Sequence, residues 1–181
     1  PRRTPKRKAV LIVYEAHGER FSKTPDADDL ALLIRISGLS LPAEVPTVEI
    51  PPMHMTHERA RMDTFGVTHI HHFFLPRAAH TLAAAWRKAK AEPDGRLRNM
   101  LLWFVEQAVW GMSLLARYTP THYSQVNQYL NGVYYIASQH SECSIWYILD
   151  GKLKRLISAY GSTYARDGMA TVTTGSTATL P

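Results

Sequence analysis

"PRAAHTLAAAWRKAKAEPDGRLRNMLLWFVEQAVW", residues 76–110, decides the fold class. Pro76 suits the first turn of a helix, where its missing amide costs nothing. Leu82, Ala85, Trp86 and Ala89 then recur at helical spacing and form the expected inner face. "EPDGR" interrupts this pattern, and a more apolar helix is expected from Leu97 to about Tyr118. So short a connection implies an antiparallel helix pair. Arg98, Asn99, Glu106 and Gln107 break up the apolar run, so it reads as a core helix and not as a membrane span.

Upstream, "KAVLIVYEAHGERFSK" reads as two strands around a turn near His17-Gly18. "TPDADDLALLIRISG" reads as a helix. Thr24 is its expected cap, Pro25 its first position, and Leu30, Leu33, Ile34 and Ser37 its inner face, with Gly38 closing it in a left-handed conformation. Residues 39–56 hold four prolines and no helical period, so an extended surface crossing is expected. Downstream, "TPTHYSQVNQYLNG" (119–132) reads as a loop and "VYYIAS" (133–138) as a short strand. "SIWYILDGKLKRLISAY" (144–160) carries Ile145, Leu149, Leu153, Leu156 and Tyr160 on one stripe, with Lys152 and Arg155 away from it. "MATVTTGS" (169–176) alternates like a strand. The expected class is α+β and mostly helical: a β-hairpin, an antiparallel helix pair, a C-terminal helix and a strand. Three regions are expected: 1–56 for the hairpin, helix and crossing; 57–162 for a helical domain; and 163–181 for the start of a further α/β unit.

The chain has 181 residues, and 21 basic against 15 acidic residues give a net charge of +6. That balance favours a polyanionic partner without saying how it is bound. Arg2, Arg3, Lys6, Arg7 and Lys8 form a basic arm, and Arg77, Arg87, Lys88, Lys152, Lys154 and Arg155 add charge on helices. With a single cysteine, Cys143, the chain can form no internal disulfide, which fits a reducing, cytoplasmic setting. The basic start runs into only a short apolar stretch, "AVLIVY", which is not the pattern of a secretory signal.

"THIHHFFLPR", residues 68–77, sets His69, His71, His72 and Arg77 close together, with His54 and His57 upstream. Their chemistry could be metal ligation, nucleic-acid contact, or packing beside Phe73 and Phe74. Alternate residues on a strand point the same way, so His69-x-His71 could pair on a metal. Yet no HExxH, thiolate or fixed carboxylate accompanies them; Glu58 and Asp63 are near only in sequence. No metal is expected. Cys143 in "SECSIW" has no local base, and there is no GxSxG elbow, Walker loop or GxGxxG. No catalytic or cofactor-binding residue is expected in this chain.

"GVTHIHHFFLPRAAHTLAAAW" (66–86), "VLIVYEAHGERFSKTPDADDLALLIRI" (10–36), "VPTVEIPP" (45–52) and "DGKLKRL" (150–156) together carry a family resemblance. They resemble an internal region of large prokaryotic DNA methyltransferases that modify an exocyclic amino group. The resemblance implies a zinc ribbon upstream. Downstream, a segment like "TTGSTATLP" would lead into the strand bearing an Asp-Pro-Pro-Phe/Tyr motif. It implies a parent enzyme that uses S-adenosylmethionine, flips its target base, and takes part in restriction-modification or a related process. This chain contains neither that motif nor the cofactor loop, so the expected role is a non-catalytic insert that helps position DNA. It is expected to need no cofactor itself, and to partner the parent's other domains but not membrane. His69, His71, His72, Arg77, Lys152, Lys154 and Arg155 are the candidate DNA contacts. The competing expectation is a scaffold without DNA contact, using the apolar cluster Trp103, Phe104 and Trp110 as its interface.

Overall fold

The computed structural model describes residues 6–51, 62, 65–119 and 136–163. These form a two-stranded antiparallel hairpin, β1 (Ile12–Ala16) and β2 (Glu19–Lys23), and four α-helices. The helices are α1 (Ala27–Ser37), α2 (Pro76–Lys90), α3 (Gly95–Val109) and α4 (Ile145–Thr163), with a short 3₁₀ helix at Ile70–Phe73. The class is α+β and mostly helical. The expected strand at 169–176, the loop from residue 120 onward, and residues 133–135 of "VYYIAS" lie outside the described residues.

The hairpin turns on His17 and Gly18, with φ of 54° and 80°. Two successive left-handed residues match the twist of the flanking strands, and only glycine takes the second without strain. Tyr14 faces Phe21 across the ladder and stacks on it, with ring centroids 5.6 Å apart. Both rings remain exposed, so this pair contributes local order more than core.

At α1 the expected cap is displaced. Asp26, not Thr24, is the N-cap: its carboxylate accepts from the Asp29 amide at 2.9 Å, and Asp29 accepts from the Asp26 amide at 3.0 Å. Lys23 Nζ lies 2.8 Å from Asp26 and 2.7 Å from Asp29, joining the hairpin's end to the helix start. That hydrogen bond, with the Asp29 amide, holds the Asp26 carboxyl down to about 2. Two carboxylates satisfying each other's amides outweigh one threonine hydroxyl. Gly38 closes the helix with φ −84°, in the right-handed region, so no left-handed cap forms. The inner face also differs. Ile34 is exposed, and the half-buried positions are Asp29, Leu33 and Ile36.

The crossing is not extended throughout: a turn closes at its start, where the Val45 amide donates to the Pro42 carbonyl (3.0 Å), and only 46–51 run without a turn, their end pairing with the histidine stretch. The Ile50 amide donates to the Thr68 carbonyl (2.9 Å) and the Ile70 amide to the Val48 carbonyl (3.0 Å). This draws Ile50, Val67, Phe73, Leu114, Met62 and Ile136 into one buried cluster. Ile136 is buried there, with no strand at 136–138.

A second cluster forms where α2, α3 and α4 meet. Ala78 and Ala108, both fully buried, join Met112, Ile145, Ile148 and Leu149. Small residues at 78, 79 and 83 let the helices approach, so the buried face of α2 is an alanine face. Leu82 and Ala85 are half-buried against the cluster, whereas Trp86 of the expected face is exposed. Phe74 touches both clusters.

α3 stops at Val109, not near Tyr118. Asp94 caps its start by accepting from the Leu97 amide (2.7 Å). The Met112 amide still reaches the Ala108 carbonyl (3.1 Å), but beyond it the helical bonds are replaced. Ser113 Oγ donates to the Trp110 carbonyl at 2.7 Å and accepts from the Leu115 amide at 3.2 Å. The Leu114 amide donates instead to the Phe73 carbonyl at 2.7 Å. A hydroxyl that satisfies both neighbours, and a carbonyl 41 positions back in sequence (114 − 73), end the helix where its apolar pattern would continue. No helix among the described residues is long and apolar enough to cross a membrane.

Candidate nucleic-acid interface

His71 and His72 sit on the 3₁₀ helix and His69 at its N-cap, where it pairs with Glu49 in an isolated bridge. The three rings gather: centroids are 4.2 Å apart for His71–His72, 5.2 Å for His69–His72 and 5.5 Å for His69–His71. Thr68 organises them. Its amide donates to His72 Nδ1 at 3.1 Å, which requires that nitrogen to carry no proton. Its hydroxyl lies 2.9 Å from His69 Nδ1 and 3.4 Å from His72 Nδ1. His71 Nδ1 is buried without a hydrogen-bond partner among the described residues. Burial, and then the neighbouring charge of His69, depress the basicity of His71. Among the described residues no group of three or more His, Cys, Asp or Glu side chains could hold a metal ion. His54, His57, Glu58 and Asp63 lie outside the described residues.

Arg77, on the first turn of α2, is committed elsewhere. Its Nη2 donates to Glu142 Oε2 at 2.7 Å, and the carboxylate is only 15% exposed against 51% for the guanidinium. His140 lies nearby in the chain. Its basicity is lowered by burial and by the charge of Arg7, and raised by Glu142. Arg7, in the basic arm, thus lies close enough to His140 for its charge to be felt there. Arg87 is likewise tied down, with Nη1 3.1 Å and 3.3 Å from the two oxygens of Glu44. Lys154 pairs with Asp150 at 2.8 Å on the exposed side of α4.

The stripe on α4 is rotated from the expected one. Ile145, Ile148 and Leu149 are buried, and Lys152 and Leu156 are half-buried on the same side. Lys152 lies four residues after Ile148 and three after Leu149, which places it on the packed side of the helix. Leu153 and Tyr160, expected inside, are exposed, as is Arg155. Trp146, Leu153, Ile157 and Tyr160 instead make a second, exposed apolar stripe, Trp146 being 77% exposed. Trp103 and Trp110 are also about half exposed (51% and 50%), whereas Phe104 packs into the second cluster. Cys143 packs there too.

The end of the helix pair carries cations that pattern reading passes over. Lys88, Lys90 and Arg96 flank the α2–α3 connection, are exposed, and make no ion pair among the described residues. The acids nearby are used by the backbone: Asp94 caps α3, and Glu92 Oε1 accepts from the Asp94 amide at 3.2 Å. Arg98 donates to the Glu92 carbonyl at 3.1 Å. The charge run "RKAK" is visible in sequence, but the spent acids and the freedom of Lys88 and Lys90 beside the bound Arg87 are not.

Thus the seven candidate contacts are differently engaged: the histidines are mutually packed, Arg77 and Lys154 are ion-paired, and Lys152 and Arg155 on α4 make no ion pair among the described residues. Comparison of the chain with protein-family models, with curated proteins and with solved structures finds no match in any of the three.

Proposed function

We propose that this chain is a non-catalytic, DNA-positioning segment of an S-adenosylmethionine-dependent DNA methyltransferase that modifies a base amino group. The observation that carries the reading is the set of exposed cations that make no ion pair among the described residues: Lys88, Lys90 and Arg96 at the α2–α3 end, with Arg155 on α4. Their neighbouring carboxylates, Glu92 and Asp94, are engaged by backbone amides and not by these side chains, which leaves the cations open to a phosphate backbone. The resemblance of residues 10–36, 45–52, 66–86 and 150–156 adds the enzyme class. Cofactor and methyl transfer belong to the parent protein.

The contacts are to phosphates, so binding is weak and without sequence preference, in the range of micromolar or weaker at physiological salt. About four contacts give a log–log salt slope of roughly minus three to four. Fluorescence anisotropy with a labelled duplex tests it. Lys88→Ala with Lys90→Ala and Arg96→Ala should flatten the slope by about two to three, and Lys152→Ala with Arg155→Ala by a smaller step. Absence of binding at tens of micromolar protein in low salt defeats the reading. A scaffold then stands in its place, supported by exposed Trp103, Trp110 and Trp146. Concentration-dependent sedimentation would be its signature.

A further inference from the structure

α4 carries a second apolar face beside the one that packs on α2 and α3. Trp146, Leu153, Ile157 and Tyr160 follow one another at intervals of seven, four and three residues, the spacing of a coiled-coil seam. None of the four belongs to either core cluster. All are exposed, Trp146 by 77% and Ile157 by 64%. An aromatic side chain has about 150–250 Å² to bury, so the four leave roughly 400–500 Å² open on one copy. Apolar patches of that extent mark interaction sites. Two such faces laid together would bury roughly 1,000 Å², the lower limit for a specific interface.

The charges on this face select the occupant. Asp150 fills the break in the seam, four residues after Trp146 and three before Leu153. A purely apolar partner would strand that carboxylate. Lys154 Nζ lies 2.8 Å from it, so the edge of the seam carries a negative charge and then, one turn on, a positive one. A second copy laid parallel would set Asp150 on Asp150 and Lys154 on Lys154. Laid antiparallel, it sets each against its opposite. With a twofold axis between residues 151 and 152, Ile157 meets the partner's Trp146, and Asp150 lies between the partner's Leu153 and Lys154. One polar residue in an apolar seam fixes register and orientation in this way.

We propose that α4 is a self-association surface: two copies of the chain pack antiparallel through Trp146, Leu153 and Ile157, with Asp150 of each beside Lys154 of the other. A twofold contact is closed, so association stops at two. An interface at the lower size limit is a weak one, so dilute solutions hold mostly single chains. Arg155, two residues after Leu153, lies on the opposite side of the helix and stays open in the pair. Self-association does not depend on DNA contact, and the two are read separately, one by sedimentation and the other by anisotropy.

The test is sedimentation of the 181-residue chain over a range of protein concentrations. The unaltered chain should shift from one copy to two as concentration rises, and go no further. Trp146→Ser with Ile157→Ser should remove the shift while the circular dichroism of dilute protein is kept. Trp103→Ser, on α3, should leave the shift in place. Asp150→Lys sets lysine against lysine across the axis, and Lys154→Asp sets aspartate against aspartate. Each alone should weaken association by about tenfold or more, like charges opposed across a contact being costly. An equal mixture of these two variants should associate about as well as the unaltered chain, because every cross-contact is again between opposite charges. In a parallel pair Asp150→Lys would merely exchange one like-charge contact for another. The proposal is overturned if the unaltered chain stays single at all concentrations, or if Trp103→Ser abolishes association. It is equally overturned if the double serine variant still pairs, or if the charge variants associate unchanged alone or fail to associate when mixed. Should the double serine variant fail to fold, the charge variants, altered only at exposed positions, decide the matter.

Discussion

Replacing Glu142 by glutamine should destabilise the fold and strengthen DNA binding at once. The Oε2 of Glu142 accepts Arg77 Nη2 at 2.7 Å and joins the start of α2 to the segment before α4. An exposed ion pair is worth about 0–1 kcal/mol, and breaking a fully buried one costs about 3–5 kcal/mol. Here the carboxylate is 15% exposed and the guanidinium 51%, so water screens one partner and not the other. The loss should fall between these limits, at about 1–2 kcal/mol. The amide nitrogen would take the place of Oε1, which is buried without a partner among the described residues; one unsatisfied atom replaces another there, so the loss of the ion pair sets the effect. For a chain of this size, that loss lowers the melting temperature by roughly 2–8 °C. Thermal unfolding by circular dichroism reads it. Arg77, freed of its partner, then becomes available to a phosphate, and the salt slope of DNA binding should steepen by about 0.9. Glu106→Gln, on an exposed position of α3, makes the same change in net charge without touching Arg77 and is the control. An unchanged melting temperature would mean that water already does the work of the pair. A stability loss with a slope equal to the control's would remove Arg77 from the DNA contacts.

Leu114→Ala should cost about 2–5 kcal/mol, since Leu114 is 2% exposed in the first cluster; urea unfolding should show a lower midpoint at constant slope, and a loss under about 1 kcal/mol would refute its central place. Gly18→Ala should cost about 1–2 kcal/mol from backbone conformation alone, because φ is +80° while no heavy atom lies within 4 Å of an added Cβ. Asp26→Ala should speed amide exchange at Asp29 and Leu30 by removing the capping box, and Thr24→Ala should not. Lys154→Ala should leave thermal stability unchanged, its ion pair with Asp150 being well exposed on both sides.

Local chemistry alone specified several parts of this molecule. His17-Gly18 between β-forming runs dictates its hairpin, because the turn needs two left-handed residues and glycine supplies the harder one. Pro76 starts α2, and the four-residue connection before Gly95 separates α2 from α3. These outcomes depend on neighbours within a few residues, so they can be read from the chain. The clustering of His69, His71 and His72 is also visible there. Tertiary structure decided what those groups do. Glu142 lies 65 positions from Arg77, and no periodicity signals their pairing. The Phe73 carbonyl takes the Leu114 amide and ends α3 early, against a run of residues that would favour more helix. On α4, several apolar stripes compete, and only docking against Ala78, Ala108 and Met112 selects Ile145–Ile148–Leu149 as the buried one. That choice carries Lys152 partly inward and leaves Leu153 and Tyr160 in water. A helix with apolar residues on more than one face has no preferred rotation of its own, and the partner surface sets it.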